Sequence, residues 1–384
     1  MTEPDRAFQI FAKPVGSLCN LRCSYCYYTD EAHIPPEKDR YRMSDGLLEL
    51  YIRQHFAATL EEVVFFSWHG GEPTLAGLDF YRRAVELQKK YLPPGKRLLN
   101  GIQTNGTLLD EEWCRFLSAE KFIAGISLDG PAGMHNRHRR NFSGQPGFEK
   151  ALKGYTMLRE YGISTEVLSV VSRHNAQFPE ELYSFFKGLG VRHLTFLPLV
   201  NQDVSTDSGA SEESVQPVAW GNFLIKIFDE WKEQDIGKIS VQLFDEAIRT
   251  AFGNGHSLCI FKKTCGRVPV IEHNGDFYSC DHFVKPQYLQ GNIREKPLDW
   301  YLESPQQSAF GRAKYETLPG YCLACPVLEY CNGECPKNRF TITPDGEPGL
   351  NYLCEGYRNF FLHVRPFVEA VRQIAGNRKN DQDS

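Results

Sequence analysis

Three cysteines lie within eight residues near the start of the chain, at Cys19, Cys23 and Cys26. Thiolates are soft ligands, and they suit iron–sulfur clusters and zinc. A four-iron cluster usually takes four cysteines, so three of them without a fourth nearby would leave one iron open to bind a small molecule. The spacing therefore favours a reactive iron–sulfur cluster. An incomplete zinc site or a chance grouping is the alternative.

Eight further cysteines form a second set in the last third of the chain. They are Cys259, Cys265, Cys280, Cys322, Cys325, Cys331, Cys335 and Cys354. Eight thiols divide into two groups of four, and each group can saturate one iron–sulfur cluster or one zinc ion. The spacing of the cysteines does not distinguish a zinc site from an iron–sulfur cluster, so a pair of zinc sites is the alternative. The twelfth cysteine, Cys114, lies in an apolar helical stretch and is predicted to be a core residue.

The elements that must position these cysteines alternate between strand-like and helix-like stretches. Strands are predicted at 8–13, 63–68, 98–103, 122–128, 164–172 and 193–200. Helices are predicted at 44–57, 78–92, 147–161, 179–189 and 218–233, and another begins at Asp110. Such alternation predicts a parallel sheet with helices outside it. Six units are fewer than the eight of a closed barrel, so we predict a partial barrel with one open side.

Four short motifs follow the predicted strands. The three-cysteine loop follows the first strand, and HGGEP (69–73), QTNG (103–106) and SLDGP (127–131) follow the next three. Ligands of parallel α/β folds bind at the carboxyl ends of the strands. These segments are therefore predicted to face one shared cavity.

The character of the sequence changes near residue 236, where the cysteine-rich part begins. We predict a partial-barrel domain over residues 1–236 and a cysteine-rich domain over residues 237–384. The second contains two strand-like stretches, 268–271 and 277–280, joined through Asn274 and Gly275. An Asn-Gly pair between strands predicts a hairpin with a type I′ turn.

The composition excludes several classes of protein. The chain has 384 residues, 41% of them hydrophobic and 24% charged, with a net charge of −5. These values are ordinary for a globular protein and argue against a nucleic-acid or membrane-surface binder. Residues 1–6 are not apolar enough for a secretory signal, and no apolar run would span a bilayer. We expect a cytoplasmic protein, in which many cysteines favour metal ligation or redox work over disulfides.

Together these motifs resemble those of the anaerobic sulfatase-maturating enzymes, which are radical S-adenosylmethionine (radical SAM) proteins with a C-terminal SPASM domain. The spacing of the first three cysteines resembles the radical SAM signature. The other similar segments are WHGGEPTL (68–75), QTNGT (103–107), NGD (274–276), SCDH (279–282) and CNGECPK (331–337). The resemblance implies an α/β fold, with a partial (β/α)6 radical SAM barrel followed by a cysteine-rich SPASM domain with a β-hairpin and helices.

The resemblance also implies an activity. Members of this family oxidise one Cys or Ser of a sulfatase to Cα-formylglycine without oxygen, using a 5′-deoxyadenosyl radical made from SAM. It implies three [4Fe–4S] clusters and SAM as cofactors. It further implies an unfolded sulfatase polypeptide as the substrate and a reduced flavodoxin or ferredoxin as the electron donor.

The family's site residues can be placed on this chain by their motifs. The resemblance assigns the SAM-binding cluster to Cys19, Cys23 and Cys26, the first auxiliary cluster to Cys259, Cys265, Cys280 and Cys335, and the second to Cys322, Cys325, Cys331 and Cys354. It places SAM against Tyr25, Gly71, Ser127, Arg139 and Val200. The small residues Gly70 and Gly71 would let the backbone approach the methionine end of SAM.

Asp281 is the predicted catalytic residue, acting as the base that takes a proton from the substrate. The structural alternative is that Asp281 caps a turn or bonds to Tyr28. Two other functions stay open: a related radical SAM/SPASM enzyme that modifies another peptide, for example by forming a thioether, and a zinc-stapled binding module without catalysis.

Overall fold

The structure is a computed structural model that describes residues 7–28 and 41–382. Residues 1–6, considered above for a secretory signal, lie outside the described residues. No helix in the described part of the chain is long and apolar enough to cross a lipid bilayer. The chain divides into two compact units, each made of several stretches. The first comprises Met1–Leu128, His135–Val167 and Gly266–Gly311, and the second comprises Asp129–Met134, Leu168–Cys265 and Arg312–Ser384.

The strands and helices follow one another in the order that the sequence predicts. The strands are β1 (Phe11–Ala12), β2 (Val63–Trp68), β3 (Arg97–Thr104), β4 (Ile123–Ser127), β5 (Ser164–Val171), β6 (His193–Pro198), β7 (Ser240–Val241), β8 (Val270–Ile271), β9 (Asp276–Tyr278), β10 (Leu289–Asn292), β11 (Thr341–Ile342) and β12 (Pro348–Leu350). The helices are α1 (Asp45–Ala58), α2 (Leu78–Tyr91), α3 (Glu111–Ala119), α4 (Ala132–His138), α5 (Phe148–Glu160), α6 (Pro179–Gly188), α7 (Pro217–Gln234), α8 (Gln242–Ala251), α9 (Leu298–Leu302), α10 (Pro305–Glu316), α11 (Gly320–Leu323), α12 (Leu328–Cys331) and α13 (Cys354–Gln382).

The sheet of the first unit runs in the order β10-β9-β8-β1-β2-β3-β4. Neighbouring strands from β1 to β4 are parallel, and β8 is also parallel to β1, with Phe11 opposite Val270. Strands β9 and β10 are antiparallel to their neighbours. The hairpin of the cysteine-rich sequence is therefore built onto the parallel sheet beside β1, and the α/β fold expected from the sequence is confirmed.

Local sequence signals explain most element boundaries in the first unit. Helix α3 begins after Asp110, whose carboxylate accepts a hydrogen bond from the backbone N–H of Trp113 at 2.9 Å, as its N-cap position predicts. Cys114 on this helix is fully buried, which confirms the core prediction. The first strand is shorter than the predicted stretch 8–13. Helix α4 was not predicted, because its seven residues include a glycine and are too few to show helical periodicity.

The hairpin turn differs from the predicted type I′ geometry. In a type I′ turn both central residues have positive φ, but here Gly275 has φ +94° and Asn274 is not among the positive-φ residues. The N–H of Gly275 donates to the carbonyl of Glu272, and the N–H of Glu272 donates to the carbonyl of Asp276, both at 2.9 Å. The connection is therefore a three-residue loop whose last residue is the left-handed glycine.

The second unit is mainly helical. The apolar stripe of α7 is buried and faces α13, with the rings of Trp220 and Tyr357 at a centroid distance of 6.0 Å. The two backbones meet closely at Gly221 and Gly356, since a Cβ on Gly356 would lie 2.2 Å from the carbonyl oxygen of Pro217. In the same unit β6 pairs in parallel with β7. Helix α13 starts at Cys354, so this thiol is fixed at the end of a well-packed helix.

Candidate active site

The three-cysteine loop is held through its backbone by the segment after α4. The N–H of Arg22 donates to the carbonyl of Arg140 at 2.7 Å, and the N–H of Ser24 donates to the carbonyl of His138 at 3.1 Å. The hydroxyl of Ser24 also lies 2.8 Å from Nδ1 of His138. These contacts fix the chain on either side of Cys23.

The segment after β3 holds the loop through side chains. Asn105 Nδ2 lies 3.7 Å from Sγ of Cys19 and donates to Oδ1 of Asn20 at 2.9 Å. Asn105 is itself fixed, because its N–H donates at 2.7 Å to the fully buried carboxylate of Glu72. Glu72 also accepts hydrogen bonds from Thr104 and Thr74. The predicted meeting of the strand-end motifs is thus observed as a network that positions Cys19.

Gly70 and Gly71 have a packing role that the sequence did not indicate. A Cβ on Gly71 would lie 2.3 Å from the carbonyl oxygens of both Ser17 and Leu18, and a Cβ on Gly70 would lie 2.6 Å from that of Gly16. The space beside both glycines is therefore filled by the chain that leads into Cys19.

The thiols of this loop suit a cationic partner. Burial raises the pKa of Cys19 to about 12, and it also raises the pKa of the Cys26 thiol, which Arg139 opposes. Cys23 is buried as well. A nearby metal stabilises the thiolate form that burial otherwise disfavours. The residues therefore fit an iron–sulfur cluster.

Four of the five predicted SAM contacts lie in the first unit. Arg139 is 8% exposed, and its guanidinium carbon lies 5.4 Å from the centroid of the Tyr25 ring. Ser127, at the end of β4, accepts a hydrogen bond from Gln103 at 3.3 Å. Gly71 packs on the cysteine loop as described. The fifth residue, Val200, is buried in the second unit.

Asp281 lies in a short 3-10 turn, Asp281–Phe283, and is only 7% exposed. The hydroxyl of Tyr27 donates to its Oδ2 at 2.6 Å, and the hydroxyl of Tyr28 lies 2.9 Å from Oδ1 and 2.8 Å from Oδ2. Nζ of Lys13 lies 2.9 Å from Oδ1 and also 2.9 Å from a carboxylate oxygen of Glu272. The expected bond to Tyr28 is therefore present, within a larger network.

These partners keep the carboxylate ionised. Burial alone would raise the pKa of Asp281, but the Lys13 ammonium, the Tyr27 hydroxyl and His282 hold that pKa well below its usual range. Burial would likewise lower the pKa of Lys13, but the carboxylates of Asp281 and Glu272 raise it above its ordinary value. The pair thus consists of two compensated buried charges.

Three members of this network were missed by the sequence analysis: Lys13, Glu272 and Tyr27. Lys13 is the last residue of an otherwise apolar stretch, and a cation there was a possible signal, since it is fully buried in the structure. Glu272 and Tyr27 carry no comparable signal, because an acid in a hairpin and an aromatic beside a cysteine are both common. Only the pairing of β1 with β8 brings them together.

Four of the predicted cluster ligands share one cavity in the second unit. Its lining includes Cys322, Cys325, Cys331 and Cys354, together with Gly333 and Asn351. Burial raises the pKa of the Cys354 thiol to about 12, with Cys322 and Cys325 contributing. These four thiols therefore fit a fully ligated four-iron cluster.

Three of the other four predicted ligands lie around the buried amine of Lys314. Burial lowers the pKa of Lys314, and the nearby thiols of Cys265, Cys259 and Cys335 oppose that shift only in part. Nζ of Lys314 donates to the backbone carbonyls of Cys259 at 2.8 Å and Ile260 at 2.7 Å. The fourth predicted ligand, Cys280, belongs to the first unit.

Among the residues that the structure describes, no group of three or more His, Cys, Asp or Glu side chains is arranged to hold a single metal ion. A four-iron cluster distributes its cysteines over several irons, so this finding concerns mononuclear sites only. None of the twelve cysteines, all of which lie within the described residues, forms a disulfide bond.

Two family profiles match the chain. The profile of the Radical SAM superfamily matches residues 14–186, and the SPASM profile, described as an iron-sulfur cluster-binding domain, matches residues 264–326. The domain boundary expected near residue 236 falls between these matches and stays a prediction.

Full-length relatives carry related names. The chain is 43% identical to a serine-type anaerobic sulfatase-maturating enzyme of Bacteroides thetaiotaomicron, over 96% of this chain and 92% of the relative. It is 31% identical to a cysteine-type anaerobic sulfatase-maturating enzyme of Clostridium perfringens, over 93% of this chain and 96% of the relative.

Solved structures agree with these similarities. The structure described as native anSMEcpe with bound AdoMet and Kp18Cys peptide matches with a TM-score of 0.86 and 30% identity, covering 95% of this chain and 99% of that one. Streptococcus suis SuiB bound to S-adenosylmethionine matches with a TM-score of 0.63, 17% identity and coverage of 91% and 78%, a likeness of fold alone.

Proposed function

The chain belongs to the anaerobic sulfatase-maturating enzymes, which are radical SAM oxidoreductases, and we propose that it converts one serine or cysteine of a sulfatase polypeptide into Cα-formylglycine. The family resemblance read from the cysteine motifs is confirmed by this membership. Identity of 43% to a serine-type relative, against 31% to a cysteine-type relative, favours serine as the target.

One observation carries the assignment of Asp281. Tyr27 directly follows Cys26, and Asp281 directly follows Cys280. The hydroxyl of Tyr27 and the carboxylate of Asp281 meet at 2.6 Å. This hydrogen bond therefore links the residues that directly follow two proposed cluster ligands. We propose that the substrate loses its hydrogen atom and its proton beside this hydrogen bond.

We propose three four-iron clusters. Their ligand sets are Cys19, Cys23 and Cys26 for the SAM-binding cluster, Cys259, Cys265, Cys280 and Cys335 for the first auxiliary cluster, and Cys322, Cys325, Cys331 and Cys354 for the second. Tyr25, Gly71, Ser127, Arg139 and Val200 are the proposed SAM contacts. When bound, SAM and its cluster supply the radical that removes a hydrogen atom from the substrate Cβ. The buried guanidinium of Arg139 can pair with the methionine carboxylate.

Asp281 supplies the base. After the Cβ hydrogen atom has left, forming the carbonyl group requires the loss of one proton and one electron. The proton needs an acceptor within hydrogen-bond reach of the substrate oxygen or sulfur. Asp281 remains ionised because Lys13 pairs with it, so it can take that proton at neutral pH.

The substrate, the electron donor and the cellular compartment are also part of the proposed function. We propose an unfolded sulfatase segment as the substrate, a reduced flavodoxin or ferredoxin as the electron donor, and the cytoplasm as the site of action. A peptide substrate is supported by the solved relative described with AdoMet and a peptide. Twelve described cysteines without a disulfide bond are in keeping with a reducing compartment.

The function is tested with two matched peptides that differ only by serine or cysteine at the target position. The reduced protein is incubated with SAM and each peptide without oxygen, and the products are weighed. We expect formylglycine from both or from the serine peptide alone. A thioether product, or SAM cleavage with neither peptide altered, would contradict the proposal. If only a folded sulfatase were modified, the unfolded-substrate proposal would be wrong.

The base is tested with Asp281→Asn. This variant should keep its iron and still cleave SAM, with deuterium passing from a Cβ-labelled peptide into 5′-deoxyadenosine. Formylglycine should fall by about 10²-fold or more, in the range expected for a lost general base. Asp299→Asn is the matched control, because Asp299 is an exposed residue at the start of α9. Undiminished formylglycine in Asp281→Asn would remove Asp281 from the mechanism.

A further inference from the structure

The carboxylate of Asp281 is already contacted by three donors. A carboxylate offers about four acceptor positions over its two oxygens. Here Lys13 contacts Oδ1, Tyr27 contacts Oδ2, and the single hydroxyl of Tyr28 lies between the two oxygens, all within 2.9 Å. A substrate group that approaches Asp281 therefore meets these donors, each of which is held by other contacts.

The donors differ in their access to solvent. Lys13 is 0% exposed and Tyr28 is 8% exposed, whereas Tyr27 is 43% exposed. Tyr28 is further fixed by the Lys13 ammonium, 4.3 Å from the centroid of its ring. Among these three donors, Tyr27 is therefore the residue with the largest exposed fraction.

Tyr27 is also held in a fixed orientation. Its ring lies against the ring of Tyr28 at a centroid distance of 4.2 Å, and against the imidazole of His282, edge-on, at 5.6 Å. Its hydroxyl makes the shortest contact to Asp281, at 2.6 Å, and lies 3.0 Å from the hydroxyl of Tyr28. One end of the phenol thus points into the buried network while the residue as a whole stays accessible.

We propose that Tyr27 is a second catalytic residue, whose hydroxyl contacts the substrate side chain and relays its proton to Asp281. The inference rests on the proposed function. The substrate O–H or S–H bond breaks as a new O–H bond forms on Tyr27, and the former Tyr27 proton passes to Oδ2 of Asp281. Tyr27 ends neutral and Asp281 ends protonated. An oxidised iron–sulfur cluster held by the proposed cysteine ligands would supply the acceptor for the accompanying electron, so that the substrate carbon reaches the carbonyl level.

Tyr28 has a different role in this arrangement. Its hydroxyl spans both oxygens of Asp281, and the residue is buried, so it positions the carboxylate without reaching the substrate. The two neighbouring tyrosines therefore have separate roles: Tyr27 relays the substrate proton, and Tyr28 positions the Asp281 carboxylate.

The test compares Tyr27→Phe with replacement of Tyr27 by 3-fluorotyrosine, which keeps the hydroxyl. The probe is a serine peptide deuterated at Cβ. Tyr27→Phe should bind iron and form 5′-deoxyadenosine carrying deuterium at the wild-type rate, while formylglycine per 5′-deoxyadenosine falls by about 10²-fold. The fluorotyrosine protein should recover most of the product. A role of the ring in packing alone would not depend on the hydroxyl in this way.

Tyr288→Phe is the matched control, since the Tyr288 ring packs on Phe283 at 4.9 Å, a contact that phenylalanine preserves. Wild-type product yield in Tyr27→Phe would overturn the inference. So would loss of iron or of deuterium transfer in that variant, because Tyr27 would then support the cysteine loop and not the proton. The Asp281→Asn experiment separates the two proposals. If Asp281→Asn loses product and Tyr27→Phe does not, the relay alone is wrong; undiminished product in Asp281→Asn removes the base on which the relay depends.

Discussion

The three-cysteine loop and the four-cysteine cavity hold their thiols in place in different ways. The loop carries Cys19, Cys23 and Cys26 and is held by groups from elsewhere, among them Asn105 and the backbone beyond α4. The cavity is lined by four thiols that lie between residues 322 and 354, on short helices and at the start of α13. A site with three thiols has one protein ligand fewer than a site with four. Groups from the surrounding segments fix the position of the three-cysteine loop instead.

The buried charges of the two regions also differ. In the first unit, Lys13 and Asp281 pair with each other and reach the accessible Tyr27. In the second unit, Lys314 donates to two backbone carbonyls, and Arg339 donates to the carbonyls of Gly333, Asn332 and Glu334. Charges in the first region thus lie in a network that includes a partly exposed tyrosine, whereas those in the second donate to the backbone of segments that carry thiols.

The largest expected effect follows from removing the first region's thiols. Changing Cys19, Cys23 and Cys26 together to Ala should lower the iron content from about twelve to about eight per chain, since one of three four-iron clusters is lost. SAM cleavage should be abolished. Iron analysis and 5′-deoxyadenosine assays measure this, with Cys114→Ala as the control that keeps all iron. Stoichiometric zinc with little iron in anaerobically purified protein would contradict the cluster assignment.

A thiol of the second region should give the opposite pattern. Cys354→Ala should disrupt the cluster in the four-thiol cavity and lower the iron content towards about eight. The protein should still cleave SAM, because the loop of the first region is intact. Formylglycine per 5′-deoxyadenosine should fall by at least about tenfold. If Cys354→Ala abolished SAM cleavage, the functional contrast between the regions would not hold.

Removing the buried cation of the second region should reduce stability. In Lys314→Met the carbonyls of Cys259 and Ile260 lose their shared donor inside the protein. An unsatisfied buried acceptor costs about 1–3 kcal/mol of unfolding free energy. Denaturant unfolding without oxygen measures the loss. Lys226→Met, at an exposed ion pair, should cost less than about 1 kcal/mol. Equal losses in both variants would show that Lys314 does not fix the loop.

The smallest effect concerns pH and the first unit. His55 is buried against Phe66, and burial lowers its pKa to about 3. Between that value and the ordinary pKa of about 6.5, the unfolded chain binds a proton that the folded chain does not, so stability falls as pH falls. From pH 6.5 to 5.5 the wild type should lose about 1 kcal/mol more than His55→Gln, because the unfolded histidine is already half protonated at pH 6.5. Parallel pH profiles of the two proteins in urea unfolding would contradict this.

The sequence by itself determined the features that depend on near neighbours. Strand and helix alternation, the Asp110 cap and the burial of Cys114 all follow from patterns within a few residues. The cysteine spacing and the accompanying motifs identified the family, because their combination in one chain is specific to that family. The hairpin was predicted as well, but its turn type was not, since Gly275 has φ +94° whereas Asn274 lacks the positive φ that a type I′ turn requires.

Tertiary structure alone decided which distant groups meet. Tyr28 and Asp281 are 253 positions apart, and no local pattern predicts their contact or the burial of Lys13 beneath them. Sequence patterns indicate which face of an element is apolar. For a polar side chain at a strand end, however, the same pattern is found whether the side chain contacts solvent or a buried partner. The parallel pairing of β1 with β8 settles that question, because it sets Lys13 beside Glu272 and Asp281 in a place from which water is excluded.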